Sequence, residues 1–268
     1  MPFKSLSQIQ ETIEILQNLN SSPGNNFEIR RQIENGFGAI SIPVIDLRPE
    51  TEIFRGATWD VMTVNDILYP PKHLVTVLGR ANDIGQPMFY AALDEKTMLY
   101  EVSKNIGIGQ SMIVTIAGFK TGSRIPLAIV VNMDRAKVEG NPNSEAHLVR
   151  LQELFSNFDD ELKPRIELIT KFFSDQFALE VKNEEYHKYE LTSCYSMYCL
   201  VDGKRGVFYP SVQYKYGFNV AIDPCAVDNM IRPPFKIWKY KLTTNEDGSF
   251  DYPEPEKAKE IQNGRIIW

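Results

Sequence analysis

Four side chains in separate short segments have the chemistry to bind and polarise a small ligand. Arg55 carries a planar guanidinium that can form two parallel hydrogen bonds to a phosphate or sugar oxygen, which a lysine cannot do. The carboxylate of Glu101 can stabilise a developing positive charge. Tyr90 offers an aromatic face, which attracts a cationic ring as well as apolar groups, and Ser211 offers a hydroxyl. These residue types suit a ligand with phosphate and sugar oxygens.

Each of these residues also has an ordinary structural interpretation. A lone arginine such as Arg55 most often forms a salt bridge, and a glutamate within a helix most often lies in solvent. Apolar neighbours on both sides of Glu101 indicate, however, that its helix turn faces the protein. Core packing is the simpler role for Tyr90 in an apolar strand, and a serine after a proline, as at Ser211, is usually a turn residue.

The segments that carry these residues follow one another in a recognisable order. They are Ile53-Phe54-Arg55-Gly56-Ala57, the stretch from Gly79 to Tyr90, Leu99-Tyr100-Glu101 and Phe208-Tyr209-Pro210-Ser211-Val212. In this order and at this spacing they resemble the RES-domain family, which is named for its arginine, glutamate and serine. Residues 79–85 match the family pattern Gly-Arg-x-Asn-x-x-Gly, with Ala81 where an aromatic residue is common. Gly79 and Gly85 are expected to let the backbone bend and approach a ligand.

The resemblance implies an enzyme that consumes NAD, because RES-domain proteins are similar to ADP-ribosyltransferases. Nicotinamide leaves as a neutral base, so the enzyme must chiefly stabilise an oxocarbenium-like sugar and hold the rest of the dinucleotide. By resemblance, Glu101, Arg55 and Tyr90 are catalytic, with Glu101 on the ribose. NAD would be bound by Arg55, Arg80, Tyr90 and Ser211, as a substrate and without a metal. The acceptor stays open between water, phosphate and a protein side chain.

Two further classes of function remain open at this point. RES-domain proteins are often the toxin of a toxin–antitoxin pair, so the resemblance implies a possible antitoxin-like protein partner. The alternative is a non-catalytic RES-like module that binds a dinucleotide or a protein. Replacement of Glu101 would be the sequence signal for such a module, and here Glu101 is present. A third interpretation, a sugar- or nucleotide-cleaving hydrolase, would need a second carboxylate within roughly 5–10 Å of the first.

Composition excludes several other classes of protein. The formal net charge of −6 argues against general nucleic-acid binding, which usually needs a basic patch. The longest apolar stretch, Ile125 to Val131, is far short of the roughly 18 residues of a membrane span. Residues 1–5 contain no apolar signal core, so we do not expect secretion. Three unevenly spaced cysteines predict no disulfide framework and favour the cytoplasm. Cys194 and Cys199 are expected to be small buried thiols rather than zinc ligands.

The predicted elements run from helices to strands, back to helices and again to strands, which favours an α+β fold over a doubly wound sheet. Apolar residues at helical spacing predict an N-terminal helical extension over 1–38. The RES-like catalytic domain is expected over 39–268, with a helical insertion at about 133–200. Two runs, Ser111 to Phe119 and Pro126 to Asn132, are expected to pair as an antiparallel hairpin. The resemblance implies an ADP-ribosyltransferase-like core of two small β-sheets with a cleft.

Overall fold

The computed structural model describes residues 4–38, 42–104, 106–132 and 142–268. Seven α-helices lie within these ranges. They are α1 (Leu6–Leu19), α2 (Asn26–Gly36), α3 (Glu95–Ser103), α4 (Pro142–Ser156), α5 (Lys163–Phe177), α6 (Tyr189–Val201) and α7 (Pro224–Met230). Both N-terminal helices and the three helices of the predicted insertion are therefore present. Residues 39–41 and 133–141, at the start of the predicted domain and of its insertion, lie outside the described residues.

The strands form one large mixed sheet and one small ribbon. They are β1 (Val44–Leu47), β2 (Glu52–Ala57), β3 (Phe89–Ala92), β4 (Ser111–Lys120), β5 (Ile125–Ile129), β6 (Gly206–Pro210), β7 (Phe218–Ile222), β8 (Lys236–Thr244), β9 (Phe250–Asp251), β10 (Glu256–Lys257), β11 (Glu260–Gln262) and β12 (Arg265–Ile267). The ten-stranded sheet has the order β1-β5-β6-β7-β3-β2-β4-β8-β10, with β9 also paired to β8. Strands β11 and β12 pair with each other. The α+β class is confirmed.

The two halves of the core, expected as separate sheets, are joined as one sheet by a narrow seam. Strands β2 and β3 share a single residue pair, Phe54 with Ala92. On its other edge, β2 pairs with β4 along its whole length, and β3 pairs on its other edge with β7. The single shared pair leaves backbone groups of β2 and β3 without ladder partners on the sides that face each other, so other groups must occupy the gap.

The predicted hairpin between Ser111–Phe119 and Pro126–Asn132 is wrong. Strand β4 lies between β2 and β8, whereas β5 lies between β1, which is antiparallel to it, and β6, which is parallel. The connecting residue Thr121 bonds through its backbone N–H to the carbonyl of Thr51 at 3.0 Å. The connection between the two strands crosses from one half of the sheet to the other.

Local sequence signals explain where the helices that frame the sheet begin. Ser5 caps α1 by accepting a hydrogen bond from the N–H of Gln8, whose side chain bonds back to the Ser5 N–H. Asp94 caps α3 by accepting from the N–H of Thr97 at 2.8 Å and from its hydroxyl at 2.6 Å. The cap fixes the start of α3 directly after β3.

The N-terminal extension packs against the helices of the insertion. Glu190, in the first turn of α6, accepts hydrogen bonds from the backbone N–H groups of Gly24 and Asn25 at 2.9 and 3.1 Å. It therefore satisfies free donors just before α2. Apolar residues of α1, α2, α5 and α6 share one core with the sheet face that carries Tyr90 and Tyr209. Helices α4 and α7 pack against the opposite face. No helix among the described residues is long and apolar enough to cross a membrane.

Candidate active site at the strand seam

A cavity of about 290 Å³ lies over the seam between β2 and β3. Strands β2, β3, β6 and β7 contribute to its lining, and α3 and the first residue of α6 complete it. The lining residues are Arg55, Gly56, Thr58, Trp59, Gly79, Arg80, Tyr90, Ala91, Met98, Glu101, Val102, Lys104, Tyr189, Tyr209 and Asn219. Three of the four residues singled out in the sequence, Arg55, Tyr90 and Glu101, therefore meet in one cavity, together with Arg80.

Arg55 occupies the gap where β2 and β3 separate. Its Nη1 donates a hydrogen bond of 2.8 Å to the backbone carbonyl of Tyr90. The guanidinium also lies over the ring of Phe89, 5.3 Å from the ring centroid. The side chain of Arg55 thus satisfies a carbonyl at the seam, and this bond fixes the guanidinium beside the cavity.

Arg55 is a buried cation that lacks an acidic partner. The residue is only 7% exposed, and within the described ranges no carboxylate lies within salt-bridge distance of its guanidinium. Its Nε has no hydrogen-bond partner there either. Burial lowers the pKa of Arg55 to about 10, so the group is still charged at neutral pH. A buried charge without a counter-ion is costly, and an anionic ligand in the cavity would compensate it.

Glu101 is held by two hydrogen bonds to one of its oxygens. Its Oε1 accepts from the Ser211 hydroxyl at 2.7 Å and from the Asn219 amide at 2.6 Å. Its Oε2 has only Lys104 Nζ, at 3.9 Å, as a charged neighbour in the part of the chain that the structure describes. Two donors on Oε1 fix the carboxylate in place and leave Oε2 as the oxygen available to a ligand.

Ser211 acts on the site from behind Glu101. It is not among the residues that line the cavity. Its hydroxyl donates to Glu101 and accepts from the backbone N–H of Tyr214 at 3.0 Å. The structure therefore places Ser211 as a residue that positions Glu101, whereas the resemblance implied direct contact with NAD.

Tyr90 is fixed at its hydroxyl while its ring borders the cavity. The hydroxyl donates to Asn82 Oδ1 at 2.7 Å and accepts from the N–H of Ala81 at 2.9 Å. Burial raises the pKa of Tyr90 far above its usual value, so the phenol is neutral. Gly79 is needed here, because a Cβ would lie 2.8 Å from the Tyr90 hydroxyl and 2.3 Å from Asn82 Oδ1. The glycine thus permits a close approach to Tyr90 within the protein.

Arg80 is held by the helical insertion. Its Nη1 donates to the carbonyl of Phe177, the last residue of α5. A helix C-terminus favours a cation, because its free carbonyls carry partial negative charge. The guanidinium also lies over the ring of Tyr189, 5.3 Å from the centroid. The insertion therefore forms part of the site and orients its second arginine.

The cavity concentrates positive charge on an acidic protein. Arg55, Arg80 and Lys104 line it together with the carboxylate of Glu101, whereas the whole chain has a net charge of −6. Such local charge attracts and orients an anionic ligand. One carboxylate among three cations also indicates a ligand that combines negative groups with a cationic or hydroxyl-bearing part.

Sequence reasoning missed several residues of the site. Asn219 is a polar residue inside the apolar strand β7 and is 5% exposed, and a polar residue in such a run was a usable signal. Tyr189 belongs to a run of tyrosines, with Tyr186, Tyr195 and Tyr198, whose spacing is more typical of helix packing than of a binding site. Tyr209 belongs to the segment that carries Ser211, but was not itself selected. Lys104 had no distinguishing signal.

Comparison with models of known protein families and with curated proteins finds no match for this chain. Among the described residues, no group of three or more histidine, cysteine, aspartate or glutamate side chains is arranged to hold a metal ion. Cys194 and Cys199 are buried free thiols, and burial raises the pKa of Cys199 to about 12.

Proposed function

We propose that this protein cleaves the bond between nicotinamide and ribose in NAD and is a RES-type enzyme. The observation that carries the proposal is the shared cavity of Arg55 and Glu101. Arg55 is a buried cation without a counter-ion among the described residues, and Glu101 is a carboxylate with one oxygen held by the protein and one left for a ligand. NAD supplies the matching chemistry, because it has an anionic diphosphate at one end of a ribose and a cationic pyridinium at the other.

The arrangement of charges supports a dissociative mechanism. Arg55 and Arg80 hold the diphosphate, and the Tyr90 ring borders the pyridinium. Breaking of the C1′–N bond sends its electron pair to the pyridinium nitrogen, and nicotinamide leaves neutral. Oε2 of Glu101 holds a ribose hydroxyl and stabilises the positive charge that develops on the sugar. An acceptor then attacks C1′ and loses its proton, and water, phosphate or a protein side chain would each complete the reaction.

The biological setting within this proposal comes from the resemblance. A toxin that consumes NAD would need an antitoxin-like partner to restrain it, and the cytoplasm is where NAD would be encountered. The site-level proposal, cleavage of NAD, does not depend on that partner.

The test is nicotinamide release from NAD by the purified full-length chain, with and without phosphate. Wild type is compared with Glu101→Gln, which keeps the shape of the side chain and removes its charge. Glu11→Gln, on the exposed side of α1, is the matched control. We expect release by wild type and by the control, with a loss of at least about 100-fold in Glu101→Gln, as for removal of a major electrostatic contributor.

The other outcomes identify what the protein does instead. Dependence on phosphate would indicate phosphorolysis, and its absence would indicate hydrolysis. NAD binding without release, measured by calorimetry, would favour the non-catalytic binding module. Release that is equal in wild type and Glu101→Gln would refute the assigned role of Glu101.

A further inference from the structure

Tyr209 is a buried tyrosine that lines the cavity without a hydrogen bond from its hydroxyl to any described residue. The residue is 4% exposed, and its ring packs against Phe177 with a centroid separation of 5.2 Å. The hydroxyl is not one of the fully buried polar atoms that lack a partner, so it opens onto the cavity, where a ligand can bond to it.

The strand register places Tyr209 directly beside the machinery of Glu101. Tyr209 pairs with Asn219 across β6 and β7, so their side chains lie on the same face of the sheet, and Ser211 follows the end of β6 directly. Asn219 and Ser211 are the two donors that hold Glu101. The Tyr209 ring is therefore next to the carboxylate.

The surroundings of Tyr209 keep its hydroxyl neutral. Burial raises the pKa of Tyr209 well above its usual value, nearby Tyr90 and the charge of Glu101 raise it further, and Arg80 lowers it. The hydroxyl thus lies within the influence of both the catalytic carboxylate and the second arginine. A neutral hydroxyl can donate one hydrogen bond and accept others, so it suits an uncharged hydroxyl of a ligand.

We propose that Tyr209 binds the ribose hydroxyl adjacent to the one held by Glu101, so that the site recognises an intact cis-diol. This inference rests on the proposed function, in which Glu101 binds the ribose and Arg80 binds the diphosphate. In the nicotinamide half of NAD, the second ribose hydroxyl lies between the hydroxyl that Glu101 binds and the diphosphate that Arg80 binds, and it is uncharged. Tyr209 lines the same cavity as Glu101 and Arg80 and is within electrostatic reach of both.

The experiment combines Tyr209→Phe with a substrate change. NAD is compared with its analogue that lacks the 3′-hydroxyl on the nicotinamide-bearing ribose, and kcat, KM and the equilibrium Kd are measured for both. Phenylalanine keeps the packing on Phe177 and removes only the hydroxyl. We expect Tyr209→Phe to weaken binding of NAD by roughly 2- to 12-fold, the range of a neutral hydrogen bond, and to leave binding of the deoxy analogue unchanged. Tyr69→Phe, which removes a hydroxyl bonded to Asp228 outside the cavity, is the control and should change neither.

The outcomes separate this inference from the proposed function. Equal effects of Tyr209→Phe on both substrates, or no effect on NAD, would overturn the role of Tyr209 while leaving cleavage intact. A wild type that binds NAD without cleaving it would refute the enzyme. If Tyr209→Phe then weakened binding of NAD but not of the analogue without the 3′-hydroxyl, the role of Tyr209 would still be supported. A wild type that neither binds nor cleaves NAD would refute both.

Discussion

The two donors to Oε1 of Glu101 allow a quantitative test of how the carboxylate is positioned. Ser211 donates to this oxygen at 2.7 Å and Asn219 at 2.6 Å. Ser211→Ala and Asn219→Ala each remove one of these hydrogen bonds and leave Glu101 in place. The double variant removes both and leaves the carboxylate without either donor.

The size of each effect follows from the charge on the acceptor. A hydrogen bond to a charged group contributes about 1.5–3 kcal/mol, which corresponds to roughly 10- to 150-fold in rate when it is needed only to hold the catalytic geometry. We expect each single variant to lower kcat for nicotinamide release by such a factor. The loss in the double variant should be smaller than the product of the single losses, because both donors fix the same oxygen and either loss already frees it.

The assay separates positioning from direct binding. Ser211 does not line the cavity, so Ser211→Ala should lower kcat and change KM by less than about threefold, a difference under 1 kcal/mol. Ser196→Ala, a buried serine whose hydroxyl bonds to the Thr192 carbonyl within α6, is the matched control and should leave kcat unchanged. An increase in KM with unchanged kcat in Ser211→Ala would refute the positioning role and support direct contact with NAD. Strictly multiplicative losses in the double variant would refute the shared-oxygen argument.

Three further predictions concern the frame of the site. A Cβ on Gly56 would lie 2.4 Å from Cγ1 of Val102. Gly56→Ala should therefore lower the free energy of unfolding, measured by chemical denaturation, by about 1–3 kcal/mol. Adding Val102→Ala should restore part of this stability, because it removes the clashing methyl group. Burial lowers the pKa of His147 to about 4, whereas the same side chain in the unfolded chain has an ordinary pKa near 6.5 and therefore binds a proton first as the pH falls. The free energy of unfolding should thus be highest above pH 6.5 and decrease by up to about 3 kcal/mol as the pH drops to 4. The His147→Gln variant should lose this part of the pH dependence. Arg80→Lys should raise KM for NAD by roughly tenfold, because an ammonium cannot bond in the fixed fork geometry to both the Phe177 carbonyl and a phosphate.

Each of these predictions has a contrary result. Full stability of Gly56→Ala would show that α3 can shift away from β2 at little cost. An unchanged slope of stability against pH in His147→Gln, compared with wild type, would show that His147 is not protonated on unfolding in that range. A normal KM in Arg80→Lys would show that the second arginine does not hold the diphosphate.

Local elements of this fold could be predicted from sequence because their causes are local. The spacing of Ile9 and Leu16 indicates α1, and both are fully buried. Asp94 signals the start of α3 through its capping chemistry. The strands over 52–57 and 218–222 follow from short apolar runs. The paired strands could not be predicted in the same way, as the wrong hairpin at Thr121 shows, since pairing depends on contacts between residues far apart in the chain.

The sequence by itself determined the helices, the positions of strands β1 to β8, the α+β class and the order of the segments that carry Arg55, Tyr90, Glu101 and Ser211. Only the tertiary structure decided what surrounds them. The seam between β2 and β3 buries Arg55 without a counter-ion in the part of the chain that the structure describes, and Asn219 of β7 and Ser211, just after β6, supply the donors that hold Glu101. The physical reason is range: a cap or an apolar period acts within a few residues, whereas burial, charge pairing and a free hydroxyl such as that of Tyr209 depend on residues that meet only after folding.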